Sequence, residues 1–106
     1  MPKFLVQATY TKEGLAGVMG KGGSSRRDAV AHMASELGGQ LESFHFGFGD
    51  YDAYVVVDLP DNEAAAAVAM GVGSSGRAMT RTIVLLTPEE VDAAAQRSVN
   101  YRPPGS

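Results

Sequence analysis

An α+β fold of order β-α-β-β-α-β, with one four-stranded antiparallel sheet carrying its crossover helices on one face, is predicted by three observations. Period-two alternation appears near the start of the chain, two further strand-like segments lie in its middle, and a β-branched, apolar run comes late. Helix-forming stretches separate the first of these segments from the second and the third from the fourth, while a short glycine-containing connection joins the middle two. A length of 106 residues suits a single domain spanning 1–106, and its last residues, from about 99 on, read as an extended tail.

The first strand is predicted over Lys3–Tyr10, with Phe4, Val6, Ala8 and Tyr10 on one side and Lys3, Leu5, Gln7 and Thr9 on the other. Helical spacing then takes over: Thr11 is an N-cap, Leu15, Val18 and Met19 share a face, and the helix is expected to stop at Gly20. After a loop through Gly20-Lys21-Gly22-Gly23, Ser25 with Asp28 reads as a capping box that opens a second helix. Its stripe of Val30, Met33, Ala34 and Leu37 faces inward until Gly38-Gly39 closes it.

The hairpin strands are predicted over Gln40–Phe46 and Asp52–Leu59. Pro60-Asp61-Asn62-Glu63 starts an alanine-rich helix, expected to end where Gly71-Val72-Gly73-Ser74-Ser75-Gly76 begins. Arg77–Leu86 reads as the fourth strand. Thr87-Pro88-Glu89-Glu90 combines an N-cap, a first-turn proline and an N3 glutamate, so a last helix is predicted to about Ser98. This order is the split β-α-β arrangement, a ferredoxin-like fold with an added C-terminal helix.

Composition narrows the function classes. Hydrophobic residues at 44% and charged residues at 20% belong to a globular chain, not to a disordered or fibrous one. The absence of cysteine excludes disulfides, thiolate catalysis and the usual zinc ligands. A net charge of -3 gives no general attraction to nucleic acid or anionic membranes, so neither is expected as a partner. With no secretory pattern and no long apolar run, the expected location is the cytoplasm.

Alternation assigns Phe4, Val6, Ala8, Ala53, Val55 and Val57, with Phe44 and Phe46, to the helix-covered face. The opposite face receives Leu5, Gln7, Thr9, Ser43, His45, Tyr54, Val56, Ile83 and Leu85. A surface that apolar is expected to be covered, partly by the last helix and chiefly by the same face of a second copy. The expected assembly is therefore a homodimer whose facing sheets enclose a cavity.

At Gly49-Asp50-Tyr51-Asp52 the chain resembles the GYD-domain family, named for a Gly, Tyr and Asp motif at this hairpin. The likeness extends through Tyr10-Thr11, Glu13-Gly14-Leu15, Gly22-Gly23-Ser24, Gly38-Gly39, Leu59-Pro60-Asp61-Asn62 and Leu86-Thr87-Pro88-Glu89-Glu90. The resemblance implies a small bacterial protein of ferredoxin-like, dimeric α/β-barrel type, in a family mostly without an assigned activity. It implies no catalytic residues.

Candidate site residues come from the bare face and the hairpin. Gln7, His45 and Tyr54 are expected to line a ligand pocket, and His45 is a candidate general base because imidazole titrates near neutrality. Tyr51 and Asp52 offer a phenol and a carboxylate at the barrel mouth, against a plainer role in turn chemistry. Gly71 to Gly76 matches G-x-G-x-x-G, but a helix precedes it and a strand follows, the reverse of a dinucleotide site. Gly20 to Ser25, with Lys21 and Arg26, leads into a helix N-terminus where an anion could sit, although capping explains the composition. No nucleophile–base set and no metal spacing emerges, and no cofactor is expected. The function expected is a homodimeric module for a small, partly apolar ligand. The alternatives are a cofactor-independent enzyme of isomerase or oxygenase type and a purely structural assembly protein.

Overall fold

A computed structural model describes residues 1–106. Its elements are β1 (Lys3–Tyr10), α1 (Lys12–Lys21), α2 (Gly23–Glu36), β2 (Gln40–Phe46), β3 (Ala53–Asp58), α3 (Asn62–Ser74), β4 (Ala78–Leu85) and α4 (Pro88–Ala95). The four strands form one sheet in the order β2-β3-β1-β4, with each neighbouring pair antiparallel. This order places the two hairpin strands side by side and inserts β1 between β3 and β4, as a split β-α-β unit requires.

The apolar alternation decides which face is buried. Phe4, Val6 and Ala8 of β1 and Ala53, Val55 and Val57 of β3 pack with Val30 and Ala34 of α2 and Ala65 of α3. Phe44 and Phe46 pack half-buried against the same cluster. α2 lies on β2 and α3 on β4, so the helices sit near the two edges of the sheet.

Capping sets most helix ends. The Thr11 hydroxyl accepts from the Gly14 N–H at 3.2 Å, and the Asp61 carboxylate accepts from the Ala64 N–H at 2.8 Å. Thr87 and Glu90 form the complete reciprocal box at the start of α4. Gly38, at φ 84°, closes α2: its N–H donates to Ser35 and the Gly39 N–H donates to Ala34, the double bond of a Schellman turn.

Several boundaries differ from the sequence expectation. The predicted loop between the first two helices reduces to Gly22, at φ 94°, which ends α1 and starts α2. Ser25 therefore lies inside the first turn of α2, and no side chain caps that helix, so the Ser25 and Asp28 box does not form. α3 runs through Gly71 and Gly73 to Ser74, because glycine weakens a helix without forbidding it. The break comes at Gly76, at φ 71°, after the Ser74 and Ser75 hydroxyls have donated to the carbonyls of Gly71 and Val72. The third strand is Ala53–Asp58 and the fourth Ala78–Leu85, each a residue shorter at both ends than expected. α4 stops at Ala95 instead of reaching Ser98, and it covers no part of the sheet: every residue from Leu86 onward is exposed.

Candidate functional site

The uncovered face of the sheet is organised in rows by strand register. His45 pairs with Tyr54, Tyr54 with Gln7 and Gln7 with Arg81, which gives one polar row across all four strands. Beside it runs Ser43, Val56, Leu5 and Ile83, a mostly apolar row. A third row joins Gln40, Asp58, Lys3 and Leu85. The register of β2 against β3 slips between Leu41 and Ser43, leaving Glu42 as the extra residue of a bulge, with its carboxylate on Lys3.

The ionic row is the electrostatically organised part of this face. Lys3 Nζ donates to Glu42 at 2.5 Å and to Asp58 at 2.9 Å, and Gln40 Nε2 donates to the other Asp58 oxygen at 3.2 Å. The hydrogen bond from Lys3, reinforced by that from Gln40, holds the Asp58 carboxyl below its ordinary value of 3.8. The hydrogen bonds to Glu42 and Asp58 raise Lys3 above its ordinary 10.5.

The sequence candidates divide between this face and the hairpin backbone. Gln7, His45 and Tyr54 lie side by side, but His45 is exposed and no hydrogen bond joins it to Tyr54 or Gln7. Tyr51 is drawn toward the row: its ring meets Tyr54 edge-on at 6.2 Å, and its hydroxyl accepts from Arg81 Nη1 at 2.7 Å. Asp52 is committed elsewhere. Its carboxylate accepts from the Tyr10 N–H at 2.9 Å, its own N–H donates to Ala8 at 2.8 Å, and its carbonyl accepts from Gly47 at 2.9 Å. These bonds carry the β1–β3 ladder past its last registered pair and clamp the hairpin end to it.

Arg81 is the member that sequence reasoning missed. Ile83 and Leu85 were assigned to the uncovered face, and two residues before Ile83 on the same strand is Arg81, so alternation alone places it there. Its reach to Tyr51 depends on the tertiary position of the hairpin and has no sequence signal. No three His, Asp or Glu side chains converge as a metal site would require. No side chain of the row pairs a nucleophile with a base.

A split β-α-β domain with a bared sheet face is a class defined by architecture, and many activities share it. Within that class the GYD-domain family model matches residues 4–95, and the chain belongs to that family. No curated protein matches the chain. No helix is long and apolar enough to cross a membrane.

Proposed function

We propose that the chain is a homodimeric small-molecule-binding module of ferredoxin-like, dimeric α/β-barrel type. Two sheets pair through their uncovered faces, and the row of His45, Tyr54, Gln7 and Arg81 lines the space between them. The observation that carries this reading is the bare sheet itself. Leu5 and Val56 lie half-buried on it, Ile83 is 41% exposed, Met79 is 66% exposed, and no helix crosses them. Surface of that kind gains by removal from water.

Charge favours a second copy as the cover. Lys3 and Arg81 balance Glu42 and Asp58 on this face, so two identical faces meet without net repulsion. A ligand enclosed there would meet the Tyr54 ring, the Gln7 amide and the His45 imidazole beside the apolar row, which suits a small, partly apolar molecule with a polar end. The enzymatic alternative has less support, because Asp52 is occupied by Tyr10 and His45 has no orienting partner.

Sedimentation equilibrium at micromolar concentration tests the pairing. The wild-type chain should sediment as a dimer, and Ile83→Glu, which places a carboxylate in the apolar row, should sediment as a folded monomer. A wild-type monomer across that range would overturn the reading. Native mass spectrometry of protein purified from its own host should report the dimer together with a retained small molecule.

A further inference from the structure

The opposite side of the sheet carries a concavity that the paired-sheet reading does not use. α2 sits over the β2 edge and α3 over the β4 edge, and a groove opens between them above β1 and β3. Its inner end is narrow, about 40 Å³, and hydrophobic on every side except at Arg26 and Thr80. Met33, Val68 and Val72 continue from there into an outer groove of about 810 Å³, where Lys21, Arg26 and Arg77 reach the walls and Glu36 is the one carboxylate.

The charges in this groove are unspent. Lys21, Arg26 and Arg77 enter no ion pair, whereas Arg27 is held by Asp28, and Glu36 faces His32 at 3.3 Å. Arg26 Nε is shut away from solvent and donates to nothing. An unmet donor on a cation is unfavourable, so an acceptor brought to this guanidinium from the groove would be favoured. A chain of net charge -3 thus concentrates three unpaired cations around an apolar slot.

We infer that this groove binds an amphiphilic carboxylate, with a slim, unbranched apolar tail between α2 and α3 and its carboxylate on Arg26. A wholly apolar occupant would leave the guanidinium unmet, and a polyanion such as a nucleotide would waste the hydrophobic inner end. The planar fork of arginine matches a carboxylate with two parallel hydrogen bonds. The site lies across the sheet from the proposed dimer face and does not depend on pairing.

Calorimetric titration with decanoate and with decanol, each kept below its aggregation concentration, tests the inference. Decanoate should bind saturably, one molecule per chain. Arg26→Met should weaken decanoate by roughly tenfold or more and leave decanol nearly unchanged. Gly17→Trp fills the outer groove from a position where an added Cβ meets nothing within 4 Å, and it should abolish binding of both. Far-UV circular dichroism checks that each variant is folded. The inference falls if decanoate does not saturate, or if Arg26→Met affects both compounds equally. It falls as well if sedimentation shows decanoate splitting the dimer, because the groove would then be the seat of a second copy. Dimerisation is read separately in the same samples: the first two outcomes leave the paired-sheet reading standing, and only the third overturns both.

Discussion

Several of the residues that carry the family likeness are fixed by close packing instead of chemistry. A Cβ added at Gly14 would stand 1.9 Å from the Arg77 carbonyl oxygen, and one at Gly39 would stand 2.0 Å from that of Asp58. Both contacts are with backbone, which has no rotamer to retreat into. Gly14 lets the first turn of α1 lie against the start of β4, where the Thr11 N–H also bonds the Arg77 carbonyl at 2.9 Å. Gly14→Ala should therefore cost about 1–3 kcal/mol in urea unfolding, or more if the helix must lift. Gly17→Ala, which meets open space in the same helix, should be neutral or slightly stabilising. Equal effects at the two positions would show that the close approach is not what requires glycine. The hairpin motif obeys the same logic, since Asp52 serves the Tyr10 amide. The sequence reading offered Asp52 a local turn role, and its bond to Tyr10, 42 positions away along the chain, had no sequence signal.

Among the elements, strands were legible almost to the residue and helix ends were not, for a physical reason. Period-two alternation is enforced by two faces with different surroundings, so a one-residue error would invert the whole pattern of β1 or β3. Glycine in a helix shifts stability by only about 1 kcal/mol, and the packing of α3 on β4 outweighs two of them. Alternation also put Gln7, His45 and Tyr54 on one face, and the strand register makes them a row. The bulge that turns Glu42 onto Lys3 had only a faint signal, the three-residue step from Leu41 to Phe44, both packed on the core, where strict alternation would step by two. That bulge completes an ionic row tying β1, β2 and β3 together, and pH should reveal it. Asp58 is held below 3.8 in the folded chain, so its contribution is present above that value and is lost as pH falls through the folded pKa. Lys3 is raised above 10.5, so its contribution is present below that value and lost as pH climbs past it. Urea midpoints measured from neutral pH down to about 3 should decline more steeply for wild type than for Asp58→Asn. Parallel curves would mean that the row adds nothing to stability.

The whole molecule is more extended than its core requires. A compact chain of this length has a radius of gyration near 13 Å, whereas this one measures 16.7 Å with a long dimension of 55 Å. The excess comes with a C-terminal arm in which Leu86, Val91, Val99 and Tyr101 are all exposed. Local signals placed the start of α4 correctly, since its capping box is complete within four residues, but they carry no information on where the helix docks. The groove between α2 and α3 escaped the sequence for the same reason: it is a distance between elements, and no periodicity encodes that distance. Because no arm residue is buried in its own chain, deleting residues 88–106 from the monomeric Ile83→Glu variant should shift its unfolding free energy by no more than about 0.5 kcal/mol, while its hydrodynamic radius contracts. A marked loss of stability would show that the arm folds back on its own core. Apolar side chains held out in this way are tolerated when a neighbour receives them, so the same deletion in the wild-type chain should weaken the dimer and flatten the rise of its melting temperature with protein concentration.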